Sequence, residues 1–293
     1  MTGAGAPAAA PSAPARKVHD GDLLSARLWL PDAPTDRLYV TFGSWRSDPG
    51  RFAGRGPVRR ALARGFAHLH VESRWNDWFL NAETAALETA LAALAPAFPD
   101  ARALGFSMGG YGALRFAAAL GLRRALLVSP QVSLDPRVVP GEDRYPEAAG
   151  FDPEAGSLVG RVPPTLAGVI AFDPFHRLDI AHADRISALA PGLVHARLPF
   201  GGHPASAALG QAGGFAALQK LSLRPRPLAA DVLRLHRAHR GRAARYWAER
   251  AAACLRSGRT DAASCALDRA EALALPASDP AKAFPAAPPD LTA

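Results

Sequence analysis

The chain has 293 residues, of which 49% are apolar, and its formal net charge is +8 at pH 7. This length and composition suffice for one large core with a small appendage. They exclude a membrane-spanning helix, because no run approaches the ~20 apolar residues that such a helix needs. Two cysteines, Cys254 and Cys265, are too few for a disulfide framework. Residues 1–15 lack the basic and apolar regions of a signal peptide, so we expect a cytoplasmic protein.

Short apolar runs alternate with helix-forming segments along most of the chain. The runs predict strands at 23–30, 38–42, 66–71, 101–104, 124–128, 166–172 and 193–200. Helices are predicted at 56–64, 81–95, 111–120 and 205–222. This alternation predicts an α/β fold with a mostly parallel sheet and helices on both faces. Sheets of this kind place their ligands at the C-terminal ends of the strands.

The sequence Gly105-Phe106-Ser107-Met108-Gly109 lies between a predicted strand and a predicted helix. It fits the G-x-S-x-G nucleophile elbow, in which a strand turns sharply into a helix and holds a serine hydroxyl clear of the backbone. The alternative is an ordinary loop serine between small residues. A serine hydroxyl is a poor nucleophile near pH 7, so the elbow reading requires a histidine base and an acid that orients it.

An aspartate and a histidine each follow a predicted strand downstream of Ser107. Asp173 comes directly after the strand at 166–172, and His203 follows the strand at 193–200 across two glycines. Because the C-terminal ends of parallel strands meet at one edge of a sheet, we expect both side chains near the serine. Asp173 and His203 are therefore the predicted acid and base.

Other residues compete for both of these positions. Asp179, near a predicted helix start, is the alternative acid. The competing histidines are His176 and His182, which flank that helix start, and His195, which lies inside a predicted strand. His203 is preferred among the histidines because the Gly-Gly turn before it gives it freedom to reach the serine.

The residues around the serine resemble a known family. The run from Ser107 to Ala113 resembles the elbow of esterase-type α/β-hydrolases, and Asp173-Pro174 and Gly202-His203 resemble that superfamily's acid and histidine turns. The likeness covers residues 22–220. It implies an α/β-hydrolase domain at 18–222, with Ser107 as nucleophile, His203 as base and then acid, and Asp173 as the orienting carboxylate. No metal or organic cofactor is implied, since acyl transfer by such a triad needs none.

The same resemblance implies an oxyanion hole built from two backbone N–H groups. One belongs to Met108, the residue after the nucleophile, and the second is expected from Ser44 or Trp45, which follow the strand at 38–42. Trp75 and Trp78 follow the next strand and are expected near the same edge. Their indoles are candidates for stacking on a sugar or lining an acyl pocket, and ordinary packing is the alternative.

Residues 133–165 are rich in Pro, Gly and acidic side chains and lie between two predicted strands. In this architecture an insertion at such a place often covers the active site. We therefore interpret the segment as a small lid, with a surface loop of no special role as the alternative.

The chain after the predicted hydrolase domain differs in kind. Residues 224–259 contain ten arginines and two acidic residues, which accounts for the whole formal charge of the chain. A basic helical hairpin is predicted at 223–276, and disordered tails at 1–17 and 277–293. The hairpin is a candidate surface for an acidic protein partner or an anionic membrane, whereas nucleic acid is disfavoured because no zinc-finger spacing or aromatic platform is present.

Six positions in this region fall at the spacing of one tetratricopeptide-like unit. They are Trp247, Ala251, Gly258, Ala263, Leu267 and Ala270. Arg250 departs from the pattern, which usually has an apolar residue there. One unit is too few for a self-standing solenoid, so we expect the hairpin to dock on the hydrolase body or on another protein.

Two functions remain open on the sequence. The first is a serine hydrolase acting on an ester, an acylated small molecule or a glycan, with an acyltransferase of the same fold as its close variant. The second is a non-catalytic interaction protein that keeps the hydrolase fold and binds through its basic hairpin. The order serine, acid, histidine favours the first.

Overall fold

The computed structural model describes residues 15–148, 150–226 and 228–274. The tails predicted at 1–17 and 277–293 lie outside these residues, apart from residues 15–17. Arg16 and Lys17 belong to the first strand, which the sequence did not predict. Its sequence, Arg-Lys-Val-His-Asp, contains one apolar side chain, so the hydrophobic pattern gave no signal there.

Eight strands form one sheet in the described part of the chain. They are β1 Arg16–Asp20, β2 Leu24–Trp29, β3 Arg37–Phe42, β4 Ala67–Ser73, β5 Asp100–Phe106, β6 Leu122–Val128, β7 Ala167–Phe172 and β8 Leu193–Arg197. Their order is β1-β2-β4-β3-β5-β6-β7-β8. β1 and β2 pair antiparallel, β2 pairs antiparallel with β4, and the remaining pairs are parallel.

This strand order is that of the α/β-hydrolase fold, so the predicted fold class is confirmed. The order also explains where a site forms. β3 lies between β4 and β5 in the sheet, so the chain passes from one side of β3 to the other as it goes from β4 to β5. A change of direction of this kind opens a crevice at the C-terminal ends of β3 and β5. The segments after β3 and β5 are those that carry Ser44 and Ser107.

Helices cover both faces of the sheet. They are α1 Arg59–Leu62, α2 Thr84–Leu94, α3 Met108–Arg115, α4 Arg177–Leu189, α5 Ala207–Gln211, α6 Phe215–Ser222, α7 Ala229–His239, α8 Ala244–Arg256 and α9 Thr260–Leu273. The single helix predicted at 205–222 is two helices, because the chain turns at Gly213, whose φ of +75° suits glycine.

Successive side chains of a strand point to opposite faces, and the central strands β3, β4 and β5 bury both faces. Leu38, Val40 and Phe42 point into one core, which they share with α2, α3 and α4. Tyr39 points to the opposite side and packs in a second core with α6 and α7. The site-bearing loops therefore rest on a sheet that is packed on both sides.

The predicted helical hairpin is present as α8 and α9, joined at Gly258, which has a φ of +71°. Ala251 and Ala263 are buried between the helices, but Leu267 is 49% exposed, so it does not act as a packing position. Cys254 is buried and Cys265 is exposed. Of the helices that the structure describes, none is long and apolar enough to cross a membrane.

Candidate active site

The backbone at Ser107 has the strained turn that the elbow motif predicts. β5 ends at Phe106 and α3 begins at Met108, and Ser107 between them has φ 47° and ψ −118°. A positive φ at a non-glycine residue costs energy and persists only where the surroundings enforce it. Here the N–H of Ser107 donates to the carbonyl of Val128 at 2.9 Å, which fixes the turn on β6.

The two glycines of the motif are required by close packing. A Cβ at Gly105 would lie 2.5 Å from the carbonyl oxygen of Gly109, which faces it across the turn. A Cβ at Gly109 would lie 2.9 Å from the carbonyl oxygens of both Phe42 and Gly43. The segment after β3 therefore lies directly against the elbow.

His203 is the histidine that reaches the serine. Its Nε2 lies 3.0 Å from the Oγ of Ser107, and Gly202 before it has a φ of +80°. The three competing histidines have other partners: His182 contacts Glu142, His195 contacts Ser187, and His176 contacts Glu249.

Asp179, not Asp173, contacts His203. Both carboxylate oxygens of Asp179 lie 3.0 Å from Nδ1 of His203. Asp179 is in the first turn of α4 and is buried. The serine, histidine and aspartate thus form a hydrogen-bonded series, and the expected position of the acid is corrected from Asp173 to Asp179.

Asp173 has a different set of partners. One of its oxygens accepts the N–H groups of Phe175 and Phe200, at 3.0 and 3.1 Å, and the other accepts the N–H of Gly202 at 3.0 Å. Burial raises the pKa of Asp173 even though these bonds oppose the rise. The carboxylate of Asp173 therefore stabilises the conformation of the loop that carries His203.

A chain of buried charges continues beyond Asp179. Arg144 donates to Asp179 at 2.8 Å and to Glu142 at 2.5 Å, and Nε2 of His182 lies 2.6 Å from Glu142. Burial alone would raise the pKa of Asp179, but His203 and Arg144 outweigh it and hold that pKa well below its usual range. Burial would also raise the pKa of Glu142. Its hydrogen bonds and ion pairs with Arg144 and His182 outweigh burial and lower this pKa to about 2. Arg144 thus links segment 133–165 to Asp179.

Two more polar side chains lie within hydrogen-bond distance of Ser107 or His203. The hydroxyl of Tyr145 lies 2.9 Å from Nε2 of His203 and 3.3 Å from Oγ of Ser107. Nε2 of Gln131 donates to Oγ of Ser107 at 2.9 Å and to the Tyr145 hydroxyl at 3.1 Å. Sequence reasoning missed both, because they lie in irregular segments that no motif marks.

Two of the residues predicted for the oxyanion hole, Met108 and Ser44, lie next to the elbow. Met108 is the first residue of α3, so its N–H has no acceptor within the helix. The hydroxyl of Ser44 donates to the carbonyl of Phe106 at 3.4 Å, which places the segment after β3 beside the elbow. The choice of Ser44 or Trp45 as second donor stays a prediction.

The three tryptophans do not form one stacking surface. Trp75 is 47% exposed, Trp45 is partly buried against the core, and Trp78 is fully buried. Trp78 therefore packs in the interior, which is the alternative that the sequence left open for it. Its Nε1 donates to Oε1 of Gln131 at 3.4 Å, and its ring meets Tyr145 edge-on at 4.7 Å.

A cavity of about 450 Å³ adjoins the site at Tyr145. Its wall comes from segment 133–165, with apolar side chains such as Leu134 and Phe151 and charged ones such as Arg137 and Asp143. This volume is in the range of small-molecule pockets. Among the described residues, no group of three His, Cys, Asp or Glu side chains is arranged to hold a metal ion.

No protein-family model matches the chain, and no curated protein matches it. Among solved structures, a capsule O-acetyltransferase of Neisseria meningitidis serogroup A is 11% identical over 61% of this chain and 85% of its own, at a TM-score of 0.44. An α/β serine hydrolase without a lid from Xanthomonas campestris is 18% identical over 65% and 84%, at 0.38. A sugar hydrolase from Lactococcus lactis is 15% identical over 67% and 86%, at 0.42.

At these identities the likenesses do not extend to activity, and the chemistry of this chain is inferred from its own residues. The tetratricopeptide-like resemblance of the hairpin finds no support, since no family model matches.

Proposed function

We propose that the protein is a serine hydrolase of esterase type that works through an acyl-enzyme. The observation that carries this proposal is the series of hydrogen bonds from Ser107 through His203 to Asp179. A serine at a strained elbow, a histidine within 3.0 Å and a carboxylate on the other ring nitrogen are the three parts that activate a hydroxyl.

The steps follow from this geometry. Asp179 accepts the N–H at Nδ1 of His203, which leaves Nε2 free to take the proton of Ser107 as its Oγ attacks the ester carbonyl. The N–H of Met108 stabilises the oxyanion of the tetrahedral intermediate, together with a donor from Ser44 or Trp45. His203 then gives its proton to the leaving alcohol oxygen. Water attacks the acyl-enzyme while His203 takes its proton. The bond between the acyl carbon and Oγ of Ser107 then breaks, the carboxylic acid leaves, and His203 returns the proton to Oγ.

The acyltransferase variant shares the first half of this reaction. It differs only in the oxygen that attacks the acyl-enzyme, which is an alcohol instead of water. Tyr145, which lies beside Ser107 and His203, also lines the cavity of about 450 Å³ formed by segment 133–165. Product analysis with and without added sugar or alcohol acceptors distinguishes the two reactions, because only a transferase forms a new ester.

A fluorophosphonate probe tests the proposal, because it labels only an activated serine. We expect labelling of the wild-type protein and none of Ser107→Ala, with ester turnover reduced by ~10³-fold or more. Ser187→Ala is the matched control, since Ser187 also lies 2.9 Å from a histidine nitrogen, that of His195, but not at an elbow. It should react like the wild type.

Two outcomes would contradict the proposal. One is a folded wild-type protein that no fluorophosphonate labels and that hydrolyses no ester, which would favour the non-catalytic interaction protein. The other is a Ser107→Ala variant that keeps its labelling, which would move the nucleophile to a different serine.

A further inference from the structure

Four polar atoms converge on one point at the candidate nucleophile. The Tyr145 hydroxyl lies within 3.3 Å of both Oγ of Ser107 and Nε2 of His203, and Gln131 donates to both hydroxyls. Ser107 and Gln131 are buried. The proposed triad uses only two of these four groups.

The hydrogen bonds at this point cannot all form at once. When Asp179 accepts the N–H at Nδ1, Nε2 of His203 has a single lone pair and accepts one hydroxyl proton. Ser107 lies 3.0 Å from it and Tyr145 lies 2.9 Å from it, so the two hydroxyls compete. Both can accept from the amide of Gln131 while they do so.

The place that Tyr145 occupies is the place that the reaction needs for another oxygen. The leaving alcohol takes its proton from Nε2 of His203, and water later gives a proton to the same atom. Either oxygen must lie within hydrogen-bond distance of Nε2 and next to the acylated Oγ. When it enters, the phenol moves aside by about one hydrogen-bond length, ~2.8 Å, and becomes its neighbour.

We propose that Tyr145 is a catalytic residue that donates a hydrogen bond to the oxygen leaving or entering at His203, and that Gln131 is the residue that positions it. This inference rests on the proposed serine hydrolase function. The proton balance is simple: the carbonyl–oxygen bond breaks, His203 supplies the proton to the leaving oxygen, and Tyr145 keeps its own.

The surroundings of Tyr145 suit this role. Its ring packs against Trp78, which also holds the carbonyl end of Gln131, so the phenol and the amide share one support. The preceding residue, Arg144, is anchored on Asp179. Burial raises the pKa of Tyr145, although Arg144 opposes the rise, so the hydroxyl remains a donor at neutral pH.

The dependence on the leaving group tests the proposal. Phenol and alcohol esters of acetate, from 4-nitrophenyl to phenyl to ethyl, are compared by kcat/KM for the wild type and Tyr145→Phe. 4-Nitrophenolate is a stable leaving group that needs no hydrogen bond, so kcat/KM for 4-nitrophenyl acetate should fall little in the variant. For ethyl acetate kcat/KM should fall roughly 10- to 100-fold, the effect of losing a hydrogen bond to a developing charge. Gln131→Met should show the same trend more weakly.

Tyr111→Phe is the matched control, because the Tyr111 hydroxyl also binds segment 133–165, at the carbonyl of Gly156, but touches no reacting atom. It should change all esters equally or not at all. If folded Tyr145→Phe loses kcat/KM equally for all esters, Tyr145 has a structural role only. If kcat/KM rises, the phenol only hinders access of the substrate. Either result would overturn the proposal. If the wild type neither reacts with a fluorophosphonate nor hydrolyses any ester, the serine hydrolase function itself fails, and this proposal with it.

Discussion

Two aspartates six residues apart serve the same loop in different ways. Asp173 accepts three backbone N–H groups and thereby fixes the course of the chain before His203. Asp179 contacts the imidazole itself. Removing the charge of Asp179 should therefore lower mainly kcat, and removing the charge of Asp173 should lower mainly the free energy of unfolding.

We expect Asp179→Asn to lower kcat by an amount on the order of 10⁴, by analogy with other triads, because the amide favours the wrong tautomer of His203. Asp173→Asn should affect kcat far less but lower the free energy of unfolding by ~1–3 kcal/mol, since it leaves a buried N–H without its acceptor. Kinetics and denaturant unfolding on both folded variants decide the matter. A larger kcat loss for Asp173→Asn would return the orienting role to Asp173.

The sequence identified part of this site and could not identify the rest. Ser107 and His203 are marked by glycine turns next to apolar strands, which are local signals. The choice between Asp173 and Asp179 depends on how the chain bends between β7 and α4, and no residue pattern encodes that. Tyr145 and Arg144 reach the site from a long irregular segment, so only the folded structure brings them together.

At the scale of elements, α8 packs on the loop that carries His203. Arg245 donates to the carbonyl of His203 at 3.4 Å, and Tyr246 meets Phe200 edge-on at 5.7 Å. Glu249 lies 3.5 Å from Nε2 of His176, in the turn before α4. Because of these contacts, we expect that removing α8 would disturb the loop that carries His203.

The pair of His176 and Glu249 makes this contact sensitive to pH. The hydrogen bond that His176 donates to the carboxylate of Glu249 raises the pKa of His176, although burial opposes the rise. The folded state therefore holds this proton more tightly than the unfolded state. The pair stabilises the fold fully below the unfolded pKa of about 6.5, and that stability is lost as the pH rises through the raised pKa.

We expect the Tm of the wild type to exceed that of Glu249→Gln most at about pH 6, and the gap to narrow by about pH 8.5. The pH-dependent part should be about 1 kcal/mol or less, because both side chains are partly exposed. Glu271→Gln, on the exposed surface of α9, is the control and should show no such trend. A gap for Glu249→Gln that is constant with pH would contradict the linkage.

The predictability of the elements follows their patterns. β2 to β8 were predicted because each contains a short run of mainly apolar side chains, and most of these side chains are buried. β1 lies at the edge of the sheet and has one apolar residue. It is a strand because its backbone pairs with β2, and no hydrophobic pattern in its own sequence indicates this. The α8–α9 hairpin was predicted from spacing, but its docking on the loop before His203 depends on contacts between distant residues.

The molecule as a whole carries its charge unevenly. Residues 224–259 hold the entire formal excess, and the remainder of the chain is formally neutral. Three exposed arginines in this region are Arg237 on α7, Arg242 between α7 and α8, and Arg256 on α8. None of the three forms an ion pair with a carboxylate of the described residues, since Asp231 and Glu249 pair with other arginines. An exposed cluster of one sign attracts anionic partners, more strongly at low salt.

The predicted basic surface is tested by retention on a heparin resin, which serves as the polyanionic probe. We expect the triple variant Arg237→Gln, Arg242→Gln, Arg256→Gln to elute at clearly lower salt than the wild type, because it removes three charges from one region. The control variant Arg59→Gln, Arg64→Gln, Arg123→Gln removes the same net charge from exposed positions outside that region and should elute near the wild type. Ester hydrolysis should be unchanged in both, since none of these arginines contacts the site. Equal shifts for the two variants would mean that retention follows net charge alone, and residues 224–259 would then form no specific anion-binding surface.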